Sequence, residues 1–223
     1  MNKFQIKTRW FLTICFSIFL FISTLLNAQP VKSKVKSSNQ PWQFGLRIGG
    51  SFDNAGSGDY KFGWKAGFVG EKRLVYNMYF QPSLSFQNKG YKYEIPFHTK
   101  GDVNAYLLEG VLGILIKFGD DRLSRGMYIA VSPFFTIGLG GKSEIEDLRD
   151  TTAINPDYYG KVTENTFSDY ALRTLDLGFH LGVGYDFNRN VSLGGVYYFG
   201  LQKMSYYSNA RWKGFQIHLS YFF

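Results

Sequence analysis

Apolar and polar residues alternate with a period of two along most of the chain after residue 41. Residues 42–52 show the pattern clearly, since Phe44, Leu46 and Ile48 alternate with small or polar residues. Successive side chains of a β-strand point to opposite faces of the sheet. The alternation therefore predicts a strand with one apolar face and one polar face.

The same alternation recurs in eight segments. They span residues 42–52, 62–71, 78–87, 105–118, 127–139, 174–187, 191–201 and 214–223. Short turns near Leu74 and at residues 119–126 and 188–190 alternate with longer polar loops at residues 53–60, 88–104, 140–170 and 202–213. An even number of strands, with short turns on one rim and longer loops on the other, is typical of bacterial outer-membrane barrels. We therefore predict an all-β fold, an eight-stranded antiparallel up-and-down barrel with both termini on the short-turn side.

The composition of the two faces distinguishes a transmembrane barrel from a soluble barrel with an apolar interior, such as a lipocalin. The apolar face is built from Phe, Leu, Ile, Tyr and Trp, which are too bulky for the narrow interior of eight strands. The opposite face is mostly Gly and Ser, whereas surfaces that face water carry about 25–35% charged residues. Within the eight segments the apolar face contains no charged residue, as expected if a Lys or Arg at the bilayer midplane costs about 2–4 kcal/mol. We predict that the apolar face meets lipid in the outer membrane of a Gram-negative bacterium.

The first residues have the features of a secretory signal peptide. Lys3, Lys7 and Arg9 precede an apolar run at residues 10–26, and Ala28 offers a small residue for cleavage. A retained membrane anchor is the alternative, since the run approaches the length of a spanning helix. We expect cleavage, which divides the chain into a signal peptide (1–28), a flexible periplasmic leader (29–41) and an outer-membrane β-barrel domain (42–223).

The charge and the cysteine content narrow the classes of partner and chemistry. The formal net charge is +8, and part of the excess lies in Lys32, Lys34 and Lys36 of the leader. A basic tract can bind nucleic acid or anionic lipid, but this short Ser-rich tract is more typical of a solvated segment, so we expect no nucleic-acid partner. The one cysteine, Cys15, lies in the signal peptide, which leaves the mature chain without disulfide or thiol chemistry.

The last segment carries a second signal. Its apolar face consists of Phe215, Ile217, Leu219, Tyr221 and Phe223. A final amphipathic strand that ends in Phe resembles the recognition signal of the barrel assembly machinery. We therefore expect this machinery as a partner, together with outer-membrane lipid.

Two prolines and several tyrosines add further expectations. Pro82 and Pro133 fall inside segments three and five, where each removes a donor from the strand ladder, and we expect a β-bulge at each. Interfacial aromatic girdles are common in membrane proteins, and the candidates here are Tyr106, Tyr128, Tyr185, Tyr197 and Tyr221.

Several segments together resemble a Bacteroidetes outer-membrane β-barrel family that includes the PorT-like proteins. They are AYLLEGVLGILIKFG, MYIAVSPFF, LDLGFHLGVGYDF and VSLGGVYYFGL. The resemblance lies in the general pattern of residues over nearly the whole mature chain and not in catalytic signatures. Gly110 stands where proline is common in the family. It implies an outer-membrane barrel, and it does not imply a role in type IX secretion.

The polar face predicts a charge network inside the barrel. Its candidate members are Arg47, Lys65, Glu109, Lys117, Asp176 and His180. From their heights along the strands we expect Glu109 to pair with Arg47 or Lys65. The three histidines are widely separated and no acidic stretch has calcium-loop spacing, so we expect no metal and no cofactor.

The function expected from these patterns is non-enzymatic, a structural or interaction role in the cell envelope, including a part in secretion or assembly. The loop at residues 140–170, with Tyr158, Tyr159 and Tyr170, is the best candidate surface for other envelope proteins. Two alternatives stay open, a soluble ligand-binding barrel and a lipid-modifying barrel enzyme. The enzyme would use loop residues such as His98, Asp102 and Ser168, although no spacing supports such a site.

Overall fold

All regular structure in the described residues of this computed structural model is β-strand. The structure describes residues 41–56, 58–95, 99–120, 125–147, 161–167, 172–205 and 209–223. Ten strands are present there: β1 (Gln43–Ala55), β2 (Asp59–Val75), β3 (Met78–Ile95), β4 (Thr99–Asp120), β5 (Arg125–Gly140), β6 (Lys142–Asp147), β7 (Lys161–Asn165), β8 (Leu175–Asp186), β9 (Val191–Gly200) and β10 (Trp212–Phe222). Those same stretches contain no helix long and apolar enough to cross a membrane.

Eight of the strands close into an antiparallel barrel. Each pairs with its neighbour in the ring order β1, β2, β3, β4, β5, β8, β9, β10, and β10 returns to β1. The closing pair runs from Gly45↔Phe222 to Ala55↔Trp212. The predicted eight-stranded antiparallel barrel is confirmed.

The side chains alternate between the lipid side and the lumen. On β1, Phe44 and Ile48 are 56% and 59% exposed, whereas Arg47 between them is 6% exposed. β10 repeats the arrangement, because Phe215, Ile217 and Leu219 face outward while the residues between them are buried. An apolar exterior around a polar interior excludes the soluble lipocalin-like alternative, whose apolar face would point inward.

Two of the predicted loops are mostly strand. Residues 88–104 were expected to form a loop, but β3 continues to Ile95 and β4 begins at Thr99, with unbroken pairing to Ile95↔Thr99. Residues 53–60 likewise contain the end of β1 and the start of β2. The sequence pattern fails here because outward-facing positions beyond the membrane are charged, such as Lys92, Glu94 and Lys100, so an apolar outward face no longer marks the strands.

The predicted loop at residues 140–170 contains the hairpin of β6 and β7. β6 pairs with the outer end of β4, from Val103↔Ser143 to Thr99↔Asp147, and β7 pairs with β6. The outer ends of β3 and β4 and the strands β6 and β7 therefore form one four-stranded antiparallel sheet, here called the external sheet. It lies on the rim opposite to the termini, which is the extracellular rim of barrels of this kind.

The prolines do not produce the expected bulges. Beside Pro82 the pairing of β3 with β2 lapses between Val69↔Ser83 and Lys72↔Phe80, and it resumes in the same register. Beside Pro133 the pairing of β5 with β4 lapses and resumes without a shift. Each proline lacks an N–H donor, and the ladder tolerates the gap because long paired stretches on both sides hold the register.

One predicted girdle residue faces the lumen. Tyr128 is 3% exposed, because it alternates with Met127 and Ile129, which face lipid. It packs over Gly184, its partner on β8, and Phe134 packs over Gly178 in the same way. Large lumenal rings thus lie opposite glycines, which makes room for them in the narrow interior.

Candidate functional site

The six residues of the expected lumenal network all project from inward positions of the barrel strands. Arg47, Lys65, Glu109, Asp176 and His180 are buried, and Lys117 is partly buried. The closed barrel removes them from bulk water, and burying a charge is costly unless it is paired and hydrogen-bonded. Their partners therefore decide what the lumen can do.

Glu109, which is fully buried, is the centre of one cluster. Its carboxylate lies 3.2 Å from Lys65 Nζ and 3.5 Å from Lys89 Nζ, and it accepts a hydrogen bond of 3.0 Å from Gln87 Nε2. Lys65 also donates to Gln216 Oε1 at 2.7 Å. Of the two partners expected for Glu109, the structure brings Lys65 to it.

Lys89 is a lumenal residue that the sequence pattern missed, because it lies in the stretch expected to be a loop. Its Nζ lies 4.0 Å from the ring centroid of Tyr198 and 5.5 Å from that of Phe134, which are cation–π distances. The signal that could have found it is its spacing, because Lys89 extends the inward series Gln81, Ser83, Ser85 and Gln87 by one further position.

A second cluster lies nearer the termini. Arg47 donates to Ser220 Oγ at 2.9 Å and to Gln81 Oε1 at 2.5 Å, and Gln81 donates in turn to Glu71 at 2.8 Å. Lys117 completes this series of contacts, since its Nζ lies 2.6 Å from Glu71 and 2.8 Å from Asp186. Among the described residues Arg47 thus reaches a carboxylate through Gln81, while Lys65, the other expected alternative, is the partner of Glu109.

The remaining expected residues take separate partners. Asp176 accepts a hydrogen bond from the backbone N–H of Leu177 at 2.9 Å. His180 packs against Phe134 with ring centroids 4.6 Å apart, and its Nε2 lies 3.7 Å from Glu109, beyond hydrogen-bond distance. Neither residue has a geometry for proton transfer to the other.

The lumen is nearly filled. One internal cavity is lined by Arg47, Lys65, His180 and His218 among others, and the space open to the centre of a water molecule is about 20 Å³. Such a volume holds about one water molecule. At the outer end, Met204, Trp212 and Tyr198 pack into an apolar cluster that Tyr91 and Leu172 cover. Side chains therefore occupy much of the described lumen.

Of the three residues considered for an enzyme, Asp102 lies in the described part of the chain. His98 and Ser168 lie outside the described residues, as do Tyr158, Tyr159 and Tyr170 of the candidate contact surface. Asp102 forms ion pairs with Lys61 and with Lys92, the second at 3.8 Å. Among the described residues no group of three His, Cys, Asp or Glu side chains could hold a metal ion.

Comparison with known proteins places the chain among outer-membrane barrels. The profile of the family described as outer membrane protein beta-barrel domain matches residues 27–206. No curated protein sequence matches the chain.

Solved structures of small outer-membrane barrels are similar at low identity. Ail, the attachment invasion locus protein of Yersinia pestis, is 12% identical with a TM-score of 0.45, and the match covers 82% of this chain and 100% of Ail. Neisserial surface protein A is 13% identical with a TM-score of 0.42 and the same coverages. The N-terminal barrel of Pseudomonas aeruginosa OprF is 11% identical with a TM-score of 0.36, again over 82% of this chain and 100% of that domain.

The family match spans most of the chain, and a closed β-barrel with an outward apolar face agrees with the family's description as an outer-membrane barrel domain. The protein belongs to the outer membrane protein β-barrel domain family and resides in the outer membrane of a Gram-negative bacterium.

Proposed function

We propose that the protein is a non-enzymatic barrel with a structural and interaction role in the cell envelope, and that the external sheet is its contact surface. The observation that carries the proposal is the contrast between a filled lumen and a sheet extended beyond the barrel. The lumenal charges are engaged in pairs and hydrogen bonds, which supports a structural use of the interior. What is offered to other molecules therefore lies outside it.

The external sheet has the features of a surface for binding other envelope proteins. Lys92, Glu94 and Lys100 are exposed on it, so its charges of both signs are available to a partner.

On β7, Thr163, Glu164 and Asn165 are exposed, and in the described part of the chain β7 pairs only with β6. An open strand edge presents backbone donors and acceptors that an extended segment of a partner can pair with. The open edge of β7 extends the proposal to a place in a secretion or assembly complex, where the pairing segment would belong to another component.

The test separates the barrel from the sheet. In cells lacking the native gene, one strain expresses the full chain and a second expresses a chain whose residues 142–165 are replaced by a short Gly/Ser turn. Both proteins should reach the outer membrane and show a heat-dependent gel shift, because the closed barrel does not include β6 or β7. The full chain should restore the resistance of the cells to detergent, and the shortened chain should not. Equal recovery with the shortened chain would assign the role to the barrel and overturn the proposed use of the sheet.

A further inference from the structure

Three cations lie at the extracellular rim, where β9 and β10 are connected. Lys203 and Arg211 are exposed and Lys213 is partly exposed. Lys213 alternates with the inward-facing Trp212 and stands on the same outward face as Phe215. Lys213 therefore continues the lipid-facing surface of β10 just beyond its apolar part, and Lys203 and Arg211 belong to the connection that leads into this strand.

The sequence around these three residues supplies no acidic side chain. Residues 201–214 contain no Asp or Glu. Across the described ranges, none of the ion pairs within 4 Å involves Lys203, Arg211 or Lys213. The cations of the external sheet differ in this respect, since Lys92 pairs with Asp102 at 3.8 Å and Lys100 with Glu94 at 3.3 Å.

The backbone holds the cations near one another. The N–H of Met204 donates to the carbonyl of Ala210 at 2.9 Å. Lys203 precedes Met204 and Arg211 follows Ala210, so this hydrogen bond brings the backbones of the two cations close together. Lys213 follows on the same strand, where it pairs with Phe199 of β9 and Asn54 of β1. Like charges held together repel, and an external anion at this place would relieve the repulsion.

We propose that Lys203, Arg211 and Lys213 bind the phosphate groups of lipid A in the outer leaflet. The position selects the ligand, because these side chains lie where the apolar band ends and lipid headgroups begin. Guanidinium and ammonium groups are suited to phosphate, Arg by bidentate hydrogen bonds and Lys as a compact charge. The cluster thus attaches the barrel to a phosphorylated lipid on one side of its circumference.

The experiment measures lipid retention by the full chain in vesicles. Wild type, R211S/K213S and K92S/K100S are each reconstituted in phosphatidylcholine containing a minor fraction of lipid A, extracted gently, and analysed for bound lipid by native mass spectrometry. K92S/K100S is the control, because Lys92 and Lys100 are also extracellular but form ion pairs with Asp102 and Glu94. Parallel samples replace lipid A with phosphatidylglycerol, or with phosphatidylcholine and free inorganic phosphate. The gel shift of each variant verifies that its barrel is folded.

Wild type and K92S/K100S should retain lipid A. R211S/K213S should retain about 30-fold less, because each of the two basic residues contributes about 1 kcal/mol near an anionic surface. Neither phosphatidylglycerol nor inorganic phosphate should give the same difference between variants. Equal retention by all three proteins, or an equal effect with phosphatidylglycerol or free phosphate, would overturn the assignment to lipid A.

Discussion

Single side chains in the lumen show how a membrane barrel can contain buried charge. Glu109 has two lysines and an amide within reach of its two oxygens, and Lys117 has two carboxylates. Removal of one partner from a buried pair leaves an uncompensated charge, which costs more than the intact pair contributes. The lumen is therefore sensitive to changes that neutralise one charge and tolerant of changes that remove both members of a pair.

We expect E109Q to lower the stability of the barrel by about 3–5 kcal/mol, because Lys65 and Lys89 lose their shared counter-charge while still buried. The measurement is the temperature of the heat-dependent gel shift, supported by urea unfolding in vesicles. The double variant K65M/E109Q should recover part of the loss.

The matched control for this change is E94Q. Glu94 also pairs with a lysine, at 3.3 Å, but both side chains are half exposed or more, and surface pairs contribute little. A gel-shift temperature for E109Q equal to that of E94Q would contradict a stabilising role for the lumenal network.

At the scale of elements, the barrel depends on the pairing of its first and last strands. The backbone N–H of Phe223 donates to the carbonyl of Phe44 at 2.9 Å, and Asn190 anchors the same end through the carbonyl of Phe222 at 2.6 Å. Phe223 is 74% exposed on the lipid side. The backbone at the end of β10 thus takes part in the pairing of β10 with β1, and the side chain of Phe223 stays accessible.

We propose that β10 carries the signal for the barrel assembly machinery, and we expect F223S to reduce the amount of protein in the outer membrane several-fold. F44S is the control, because Phe44 is a lipid-facing Phe on the neighbouring strand at the same rim. Immunoblots of fractionated membranes measure both. Similar losses for the two variants would mean that lipid contact, and not recognition of the last strand, accounts for the effect.

The whole molecule has the reverse polarity of a soluble protein. Its exterior is a band of Phe, Leu, Ile, Val and Tyr side chains around a core of polar residues. The hydrophobic effect then acts between the barrel and lipid, and hydrogen bonds and ion pairs hold the inside. A charge placed on the outer surface should be most costly at mid-height, where water is farthest away.

We expect I48K to destabilise the protein in vesicles by about 2–4 kcal/mol, and L74K by about 0–1 kcal/mol. Ile48 lies midway between Phe44 and Phe52 on the lipid face of β1, whereas Leu74 lies near the turn at the end of β2. The free energy of unfolding, measured by urea titration in vesicles, distinguishes them. Equal costs at the two sites would argue against the position assigned to the bilayer.

Much of the barrel can be predicted from the sequence, because lipid imposes the same alternation on every strand. The eight segments and the lipid-facing side of strands such as β1 and β10 follow from that period alone. The extensions of β3 and β4 into residues 88–104 do not, since the outward positions there face water and are charged, which removes the apolar outward face that marks the rest of the barrel. The hairpin of β6 and β7 was hidden for the same reason.

The sequence by itself determined which side chains point to lipid and which point inward, because a strand's period of two needs no knowledge of its partners. Only the tertiary structure decided which inward charges meet. Glu109 lies beside Lys65 and Lys89, and Arg47 beside Gln81, because the stagger between strands sets the height of each residue. That stagger arises from ring closure, which joins residues as distant in sequence as Arg47 and Ser220. The local pattern of apolar and polar residues contains no information about this stagger.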